Sequence, residues 1–297
     1  MIPEARVKAQ ARHLGVDPLV IDRDHALGVV LCALARAGVE AWGWVFKGGT
    51  CLRKAYFPDY RFSEDLDFTC VDPMSPEDAG RRIAQLAPAS ELLGVRLLTD
   101  RLRIDDKSGG EEVSLEIRVP YEGAVRRSGP PPNLQVHLSF DETLAFAVVS
   151  CPLIHPYDDG PDVACVLPCY SLEEILVEKL RAICGQRRFA IARDLYDIWK
   201  VTVAAAEPGT ASSDRAAVNI EAALRAVPEK AAAVGLGLTD ALERLDARYE
   251  EYRANWDAGV VPLAPKMAAE AFDQAWATAR GLVERVTPTG TEIAPWR

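Results

Sequence analysis

A glycine turn that follows a short apolar run is the feature that most constrains this chain. The run Trp42 to Phe46 leads into Gly48 and Gly49, and Thr50 then opens a short helical pattern. Glycine lacks a Cβ atom, so the backbone can approach a ligand closely at these positions. The free N–H groups at a helix start can also hold a phosphate. The sequence therefore predicts a strand, a phosphate-binding turn and a helix.

Two aspartates follow on a predicted strand. Asp65 and Asp67 alternate with Leu66 and Phe68. Successive side chains of a strand point to opposite faces, so the two carboxylates share one face and the apolar side chains take the other. Mg²⁺ prefers one or two carboxylates together with substrate phosphates. The turn and the paired carboxylates together outline a nucleotidyltransferase site, because in-line phosphoryl transfer depends mainly on positioning and charge neutralisation.

A third carboxylate would complete a two-metal site. Between Val113 and Val119 apolar residues alternate with polar ones, and Glu116 falls on the polar side. Only this alternation places Glu116 near the aspartates. An ion pair between Glu116 and Arg118 on a hydrated sheet face explains the pattern equally well.

A second signal comes from two predicted helices. Ser171 and Glu174 have the spacing of a capping box, and Lys179 falls inside the apolar stripe of the helix that follows. Lys179 either extends past the core to solvent or faces a cleft between two lobes and meets a phosphate. On the next helix Asp194 lies at the edge of the apolar stripe, where a carboxylate is usually paired. Its partner could be Lys179 or Arg193. If the pair faces the cleft, Lys179 would bind the nucleotide phosphates and Asp194 would orient that lysine or the incoming base.

The composition bounds the class of protein. The chain has 297 residues, 49% of them hydrophobic, and a formal net charge of −10. This charge argues against a general nucleic-acid binder, which needs a basic face. Seven cysteines and four histidines lack the spacing of a zinc site. No segment resembles a signal peptide or a membrane span, so we expect a cytoplasmic protein that does not bind membranes.

The order of the patterns predicts an α/β fold of the α+β type with a mixed sheet. We expect a nucleotidyltransferase-like lobe over residues 1–170 and an all-helical lobe over 171–297. Within the first lobe, strand candidates include Arg96 to Ile104, and the Gly109-Gly110 pair reads as a hairpin turn. Within the second, residues 207–214 read as a linker.

Two segments also carry a family resemblance. The segment Lys47 to Lys54, followed by Arg61 to Phe68, resembles the first signature of the AbiEii/AbiGii toxin family, which includes the MenT toxins. The segment Ala192 to Trp199 resembles a later one. The resemblance implies a toxin of a bacterial toxin–antitoxin system that adds nucleotides to tRNA and is neutralised by a separate antitoxin protein. In that family a lysine and an aspartate of the later signatures are implicated in activity, and Lys179 and Asp194 match those positions.

The resulting prediction is a transferase that moves a nucleoside monophosphate from an NTP to an RNA acceptor, the tRNA 3′ end, with release of pyrophosphate and Mg²⁺ or Mn²⁺ as cofactor. One alternative keeps the chemistry and uses a small molecule or a protein hydroxyl as acceptor. Another is a non-catalytic nucleotide- or metal-binding module. The candidate residues are, for catalysis, Asp65, Asp67, Lys179 and Asp194; for nucleotide binding, Lys47, Gly48, Gly49, Thr50, Ser63 and Lys179; and for metal, Asp65, Asp67 and Glu116.

Overall fold

The computed structural model describes residues 2–107, 113–140, 142–206, 218–264 and 271–288. The Gly109-Gly110 turn and the 207–214 linker predicted from the sequence lie outside these ranges. The chain divides into two compact units. The first comprises residues 1–142 and 147–170, and the second comprises 143–146 and 171–297.

The first unit combines helices with a sheet. Its helices are α1 (Glu4–Leu14), α2 (Pro18–Arg36), α3 (Gly48–Cys51, continued by a π-helical turn over Leu52–Tyr56), α4 (Pro76–Ala84) and α5 (Ala87–Leu92). Its strands are β1 (Trp44–Lys47), β2 (Asp65–Cys70), β3 (Arg96–Leu97), β4 (Arg103–Asp106), β5 (Ser114–Glu122), β6 (Asn133–Ser139), β7 (Val149–Pro152) and β8 (Val166–Cys169).

These strands form one mixed sheet in the order β3-β5-β6-β2-β1-β8-β7, and β4 also pairs with β5. The central strand β2 is antiparallel to β1 and parallel to β6. The mixed sheet predicted from the sequence is confirmed. Strand β2 therefore has two neighbours, β1 and β6, and these decide which side chains lie beside its aspartates.

Apolar side chains cover one face of the central strands. The core residues of this face are fully or almost fully buried: Leu66, Phe68, Leu115, Ile117, Val136 and Leu138. The polar residues between them are half-buried. The alternation predicted for β2 and β5 is thus confirmed, and the polar residues of β2, β5 and β6 share the opposite face.

At the edges of the sheet one prediction was wrong and one strand was missed. The expected strand from Arg96 to Ile104 is interrupted by a 3₁₀ turn over Thr99–Arg101, which separates β3 from β4. Strand β7 was not predicted, because its four residues end in Pro152 and lack a clear alternation. Proline is tolerated there because β7 is an edge strand.

The second unit is helical in its described part. Its helices are α6 (Leu172–Arg181), α7 (Ala192–Ala206), α8 (Ile220–Ala232), α9 (Ala241–Asp246), α10 (Tyr249–Gly259) and α11 (Phe272–Val286). Aromatic rings of Tyr196, Trp256 and Phe272 pack together in its core. Among the described helices of the whole chain, none combines the length and apolar character that a membrane span needs.

The predicted capping box at α6 is only half formed. The Ser171 hydroxyl accepts a hydrogen bond from the Glu174 N–H at 3.2 Å. The Glu174 carboxylate does not return to Ser171 but accepts from the N–H groups of Ala145 and Phe146, each at 2.8 Å. It also pairs with Lys230 at 2.8 Å. These contacts attach residues 143–146 to the second unit and explain why Glu174 is buried.

Candidate active site

The glycine turn lies directly against Asp67. Gly48 has a φ of 79°, in the left-handed region that favours glycine. A Cβ atom at this position would overlap the Asp67 Oδ2 atom and lie 3.1 Å from Asp67 Cγ. The lack of a Cβ atom at Gly48 therefore lets the turn pack directly against one of the two aspartates. The predicted approach of a ligand to this turn stays a prediction.

Gly49 packs against two polar side chains of the segment that precedes β2. A Cβ atom at Gly49 would overlap the Arg61 guanidinium and lie 3.2 Å from the Ser63 Oγ atom. Ser63 was a candidate for nucleotide binding, but Arg61 was missed. Arg61 is 2% exposed, and its guanidinium donates to the Phe62 carbonyl at 3.2 Å. The sequence signal that could have identified Arg61 is its position as the first residue of the segment Arg61 to Phe68, which carries the family resemblance.

Thr50 and Lys47 flank this turn. The buried Thr50 hydroxyl donates a hydrogen bond to the backbone carbonyl of Asp65, which fastens the turn to β2. The Thr50 N–H belongs to the first turn of α3, whose N–H groups have no acceptor inside the helix. The Lys47 Nζ atom lies 5.5 Å from the centre of the Tyr170 ring. Strand β1 places Lys47 opposite Asp67 in the ladder.

A row of polar side chains crosses the sheet at Asp67. The register pairs Lys47 with Asp67, Asp67 with His137, His137 with Glu116, and Glu116 with Asp105. We call these five residues the polar row. Directly paired residues of neighbouring strands present their side chains on the same face. The row therefore gives the sheet one continuous line of three carboxylates, an imidazole and an ammonium.

A second row runs parallel to the first, two residues along the strands. It pairs Asp65 with Gln135, Gln135 with Arg118, and Arg118 with Arg103. Asp65 and Asp67 thus lie on one face of β2, as the alternation predicted, and both are half-buried.

Glu116 does not lie on a strand that neighbours β2. Strand β6 separates β5 from β2, so the Cα atoms of Glu116 and Asp67 are about 10 Å apart at the usual strand spacing. The Glu116 carboxylate pairs with Arg118, which also pairs with Asp105 at 3.4 Å. The ion pair that the alternation allowed is therefore formed. A metal-binding role for Glu116 stays a prediction.

In the second unit, Lys179 is held by two carboxylates of α7. Its Nζ atom lies 2.6 Å from Asp194 Oδ1 and 3.0 Å from Asp197 Oδ2. Arg187 Nε lies 3.3 Å from the other Asp194 oxygen. Asp194 and Asp197 are 2% and 0% exposed and Lys179 is 12% exposed. Lys179 was one of the two partners expected for Asp194, whereas Asp197 was missed as a partner of the lysine.

A separate buried cluster in the first unit was also missed. The Asp159 carboxylate accepts hydrogen bonds from two imidazoles, from His25 Nε2 at 2.8 Å and from His155 Nε2 at 3.1 Å. One ligand atom of each residue lies within 4.8 Å of the others, so the group could hold a metal ion. Spacing rules could not find it, because His25 precedes Asp159 by 134 positions.

This cluster makes the stability of the chain depend on pH. Burial lowers the pKa of His155 to about 3 and also lowers the pKa of His25. The unfolded chain binds a proton at His155 near pH 6.5, so it holds more protons than the folded chain below that pH. We expect stability to be complete above about pH 6.5 and, below it, to fall by up to about 1.4 kcal/mol per pH unit for each of the two imidazoles.

Urea denaturation at several pH values between 7.5 and 4.5 measures this slope. A His155→Gln variant removes one of the two groups, so its free energy of unfolding should depend less steeply on pH in this range. Equal slopes for the variant and the native chain would contradict the assignment.

The contact between Gly48 and Asp67 predicts an unusual cost for alanine at position 48. Gly38 has a similar φ of 86°, but nothing lies within 4 Å of its Cβ position. Gly38→Ala should therefore cost only the backbone strain, about 1–2 kcal/mol. Gly48→Ala adds an overlap with the Asp67 side chain, so it should destabilise the chain by clearly more than Gly38→Ala. Urea denaturation of both variants measures the difference, and equal losses would show that Asp67 moves aside freely.

Comparisons with known proteins identify the family and support the fold. Residues 30–278 match the family described as nucleotidyl transferase AbiEii toxin of type IV toxin–antitoxin systems. JHP933 from Helicobacter pylori has 18% identity and a TM-score of 0.53 over 91% of this chain and 94% of its own. A candidate nucleotidyltransferase from H. pylori has 16% identity and a TM-score of 0.50 over 91% of this chain and 96% of its own.

At these identities the two structures support the fold alone. No curated protein matches the sequence. The family match, however, spans most of the chain, and it confirms the resemblance seen in the two signature segments. The chain is therefore a nucleotidyltransferase of the AbiEii toxin family.

Proposed function

We propose that this chain transfers a nucleoside monophosphate from an NTP to a hydroxyl of RNA, with the 3′ end of tRNA as acceptor. Family membership gives the reaction class, the NTP substrate and an antitoxin partner. The observation that carries the proposal is the contact between Asp67 and the glycine turn at the start of α3. It brings a group that binds cations next to one that binds phosphate, and a metal–triphosphate complex needs both.

The donors on this sheet face fit a divalent cation. Asp65 and Asp67 offer carboxylate oxygens from one face of β2, and Mg²⁺ or Mn²⁺ takes such hard donors together with phosphate oxygens. A bound ion would neutralise charge on the triphosphate and activate the attacking hydroxyl. Glu116 is the sequence candidate for a third donor.

The backbone of the turn would hold the triphosphate. The N–H groups of Gly48, Gly49 and Thr50 lie in the first turn of α3, where the helix leaves them without internal acceptors. The Arg61 guanidinium and the Ser63 hydroxyl lie against Gly49. They add a positive charge and a hydroxyl donor beside the turn, and Lys47, one residue before it, adds a second positive charge.

We assign Lys179 to the charge of the phosphates and Asp194 to the position of that lysine. The 2.6 Å contact between Lys179 Nζ and Asp194 fixes the ammonium group. A paired carboxylate also offsets the cost of burying the ammonium charge. Asp197, at 3.0 Å from the same nitrogen, serves the same purpose.

The experiment incubates the purified chain with each of the four α-labelled NTPs and total RNA, beside Asp67→Asn and Lys179→Met variants. We expect label in RNA of tRNA size with at least one NTP, release of pyrophosphate, and loss of both products in the variants. Label on an added aminoglycoside or on protein instead of RNA would replace the acceptor and keep the chemistry. No labelled product from any NTP with any of these acceptors would overturn the proposal.

A further inference from the structure

The strands that flank β2 offer no carboxylate beside Asp67. On one side β1 places Lys47 opposite Asp67, and a lysine ammonium cannot bind a cation. On the other side β6 places Gln135 opposite Asp65 and His137 opposite Asp67. Among the described residues in the register of the two aspartates, His137 is therefore the neighbouring side chain best able to donate to a metal.

The His137 side chain has a nitrogen that lacks a partner. Its Nε2 atom is shielded from solvent, and no described residue forms a hydrogen bond with it. Leaving a buried polar atom unpaired is costly, and such an atom in a native protein calls for an explanation. A cation bound next to Asp67 would satisfy this nitrogen, because imidazole nitrogen is a common metal ligand. Among the described residues only His25, His155 and Asp159 already hold three ligand atoms within 4.8 Å of one another, so the side chains of Asp65, Asp67 and His137 would turn towards the ion when it binds.

Glu116 is less well placed for the same task. It lies one strand farther from Asp67 than His137 does. Its carboxylate is also paired with Arg118 through one oxygen, so only the other oxygen would remain for a metal.

We propose that His137 completes the metal site of Asp65 and Asp67, in the position where the sequence analysis expected Glu116. The inference rests on the proposed function for the presence of a metal at the two aspartates. An imidazole in place of a third carboxylate also changes which metal ion the site prefers. Two carboxylates and one neutral imidazole favour Mn²⁺ or Co²⁺ over Mg²⁺ more strongly than three carboxylates would.

The test measures Mn²⁺ binding without NTP, by the loss of the free-ion EPR signal and by calorimetry. The chains compared are the native chain and the His137→Asn, His137→Asp, Glu116→Gln and Asp67→Asn variants. A His155→Gln variant separates any binding at the buried cluster of His25, His155 and Asp159. Thermal melting of each variant checks that it folds, and His137→Asp keeps the test usable where His137→Asn does not fold.

We expect His137→Asn to weaken Mn²⁺ binding by at least about tenfold, the lower end of the loss seen for partners that only orient a ligand. His137→Asp should restore binding and shift the preference towards Mg²⁺, both in binding and in nucleotide transfer. Glu116→Gln should weaken Mn²⁺ binding less than His137→Asn does, because Glu116 makes no direct contact with the ion in this arrangement and can act only through its cross-strand neighbour His137.

Three results would overturn the inference. The first is native Mn²⁺ affinity in His137→Asn, the second is a loss in Glu116→Gln that exceeds the loss in His137→Asn, and the third is no Mn²⁺ binding by the native chain. The proposed function fails separately if Asp67→Asn binds Mn²⁺ and transfers nucleotides as the native chain does.

Discussion

Asp67→Asn should reduce nucleotide transfer by at least about a thousandfold, since it removes one of two charged oxygen donors from the proposed metal site. Asparagine keeps the shape of aspartate, so the packing against Gly48 is preserved and the loss reports the charge. The rate of label transfer under single-turnover conditions, with saturating NTP and Mn²⁺ or Mg²⁺, measures the effect. The free energy of unfolding should change little, because Asp67 is only half-buried.

Asp72→Asn is the matched control. Asp72 follows the end of β2 by two residues and is exposed, so the same change of charge is made close by in sequence but off the strand. We expect nearly native transfer from it. Transfer by Asp67→Asn above a tenth of the native rate, or an equal loss in Asp72→Asn, would remove Asp67 from the reaction.

The local parts of this site could be predicted from the sequence because short-range geometry determines them. The alternation of Asp65 to Phe68 fixes which side chains share a face of β2, whatever the rest of the fold does. The glycine turn was predictable for a similar reason. A φ of 79° at Gly48 is a local backbone state, and glycine at that position is its direct signature.

The neighbours of β2 could not be predicted, because strand order depends on contacts between distant segments. Alternation placed Glu116 on the correct face but said nothing of the strand between β5 and β2. Strand β6 pairs with β2 in parallel, some 70 positions later in the chain. His137 therefore lies next to Asp67 without any local signal, and the sequence favoured Glu116 because a carboxylate is the expected residue type.

The place of residues 143–146 in the second unit also could not be predicted, because it depends on contacts with distant residues. Residues 143–146 precede residue 170, where the sequence predicted the boundary between the two lobes. They belong to the helical unit because the buried Glu174 carboxylate accepts their N–H groups and Lys230 donates to the Thr143 carbonyl at 2.6 Å. The capping-box pattern predicted a local hydrogen bond between the Glu174 carboxylate and Ser171. Two hydrogen bonds from the distant N–H groups of Ala145 and Phe146 replace it.

Asp24 on α2 forms a buried ion cluster with Arg53 and Lys54. Asp24→Asn should therefore be the most destabilising conservative change in the first unit. Asp24 is 1% exposed and accepts from Arg53 Nε at 2.5 Å, Lys54 Nζ at 2.7 Å and the Tyr157 hydroxyl at 2.6 Å. Burial alone would raise the pKa of Asp24, but the charges of Arg53 and Lys54 hold it well below its ordinary value. Asparagine leaves two buried cations without their counter-ion, so we expect a loss of about 3–5 kcal/mol.

Asp22→Asn is the matched control for Asp24→Asn, because it also removes a buried carboxylate but one whose hydrogen bonds come from backbone N–H groups. Asp22 lies on the same helix and is 2% exposed, but its carboxylate accepts from the N–H groups of Ala124 and Val125, at 2.7 and 3.0 Å. An asparagine carbonyl can accept both hydrogen bonds, so this variant should cost about 1 kcal/mol or less. Urea denaturation at pH 7 compares the two variants, and similar costs would contradict the ionic account of Asp24.

The double variant Asp24→Asn/Lys54→Met tests the cause of the loss. Burial already lowers the pKa of Lys54 to about 8, so this ammonium is costly to keep charged even beside its counter-ion. If uncompensated charge causes the instability, removing Lys54 as well should recover at least about 1 kcal/mol of the loss, since a neutral pair avoids the burial of an unpaired ion. A double variant that is less stable than Asp24→Asn would mean instead that the packing of the lysine stem, rather than its charge, dominates at this site.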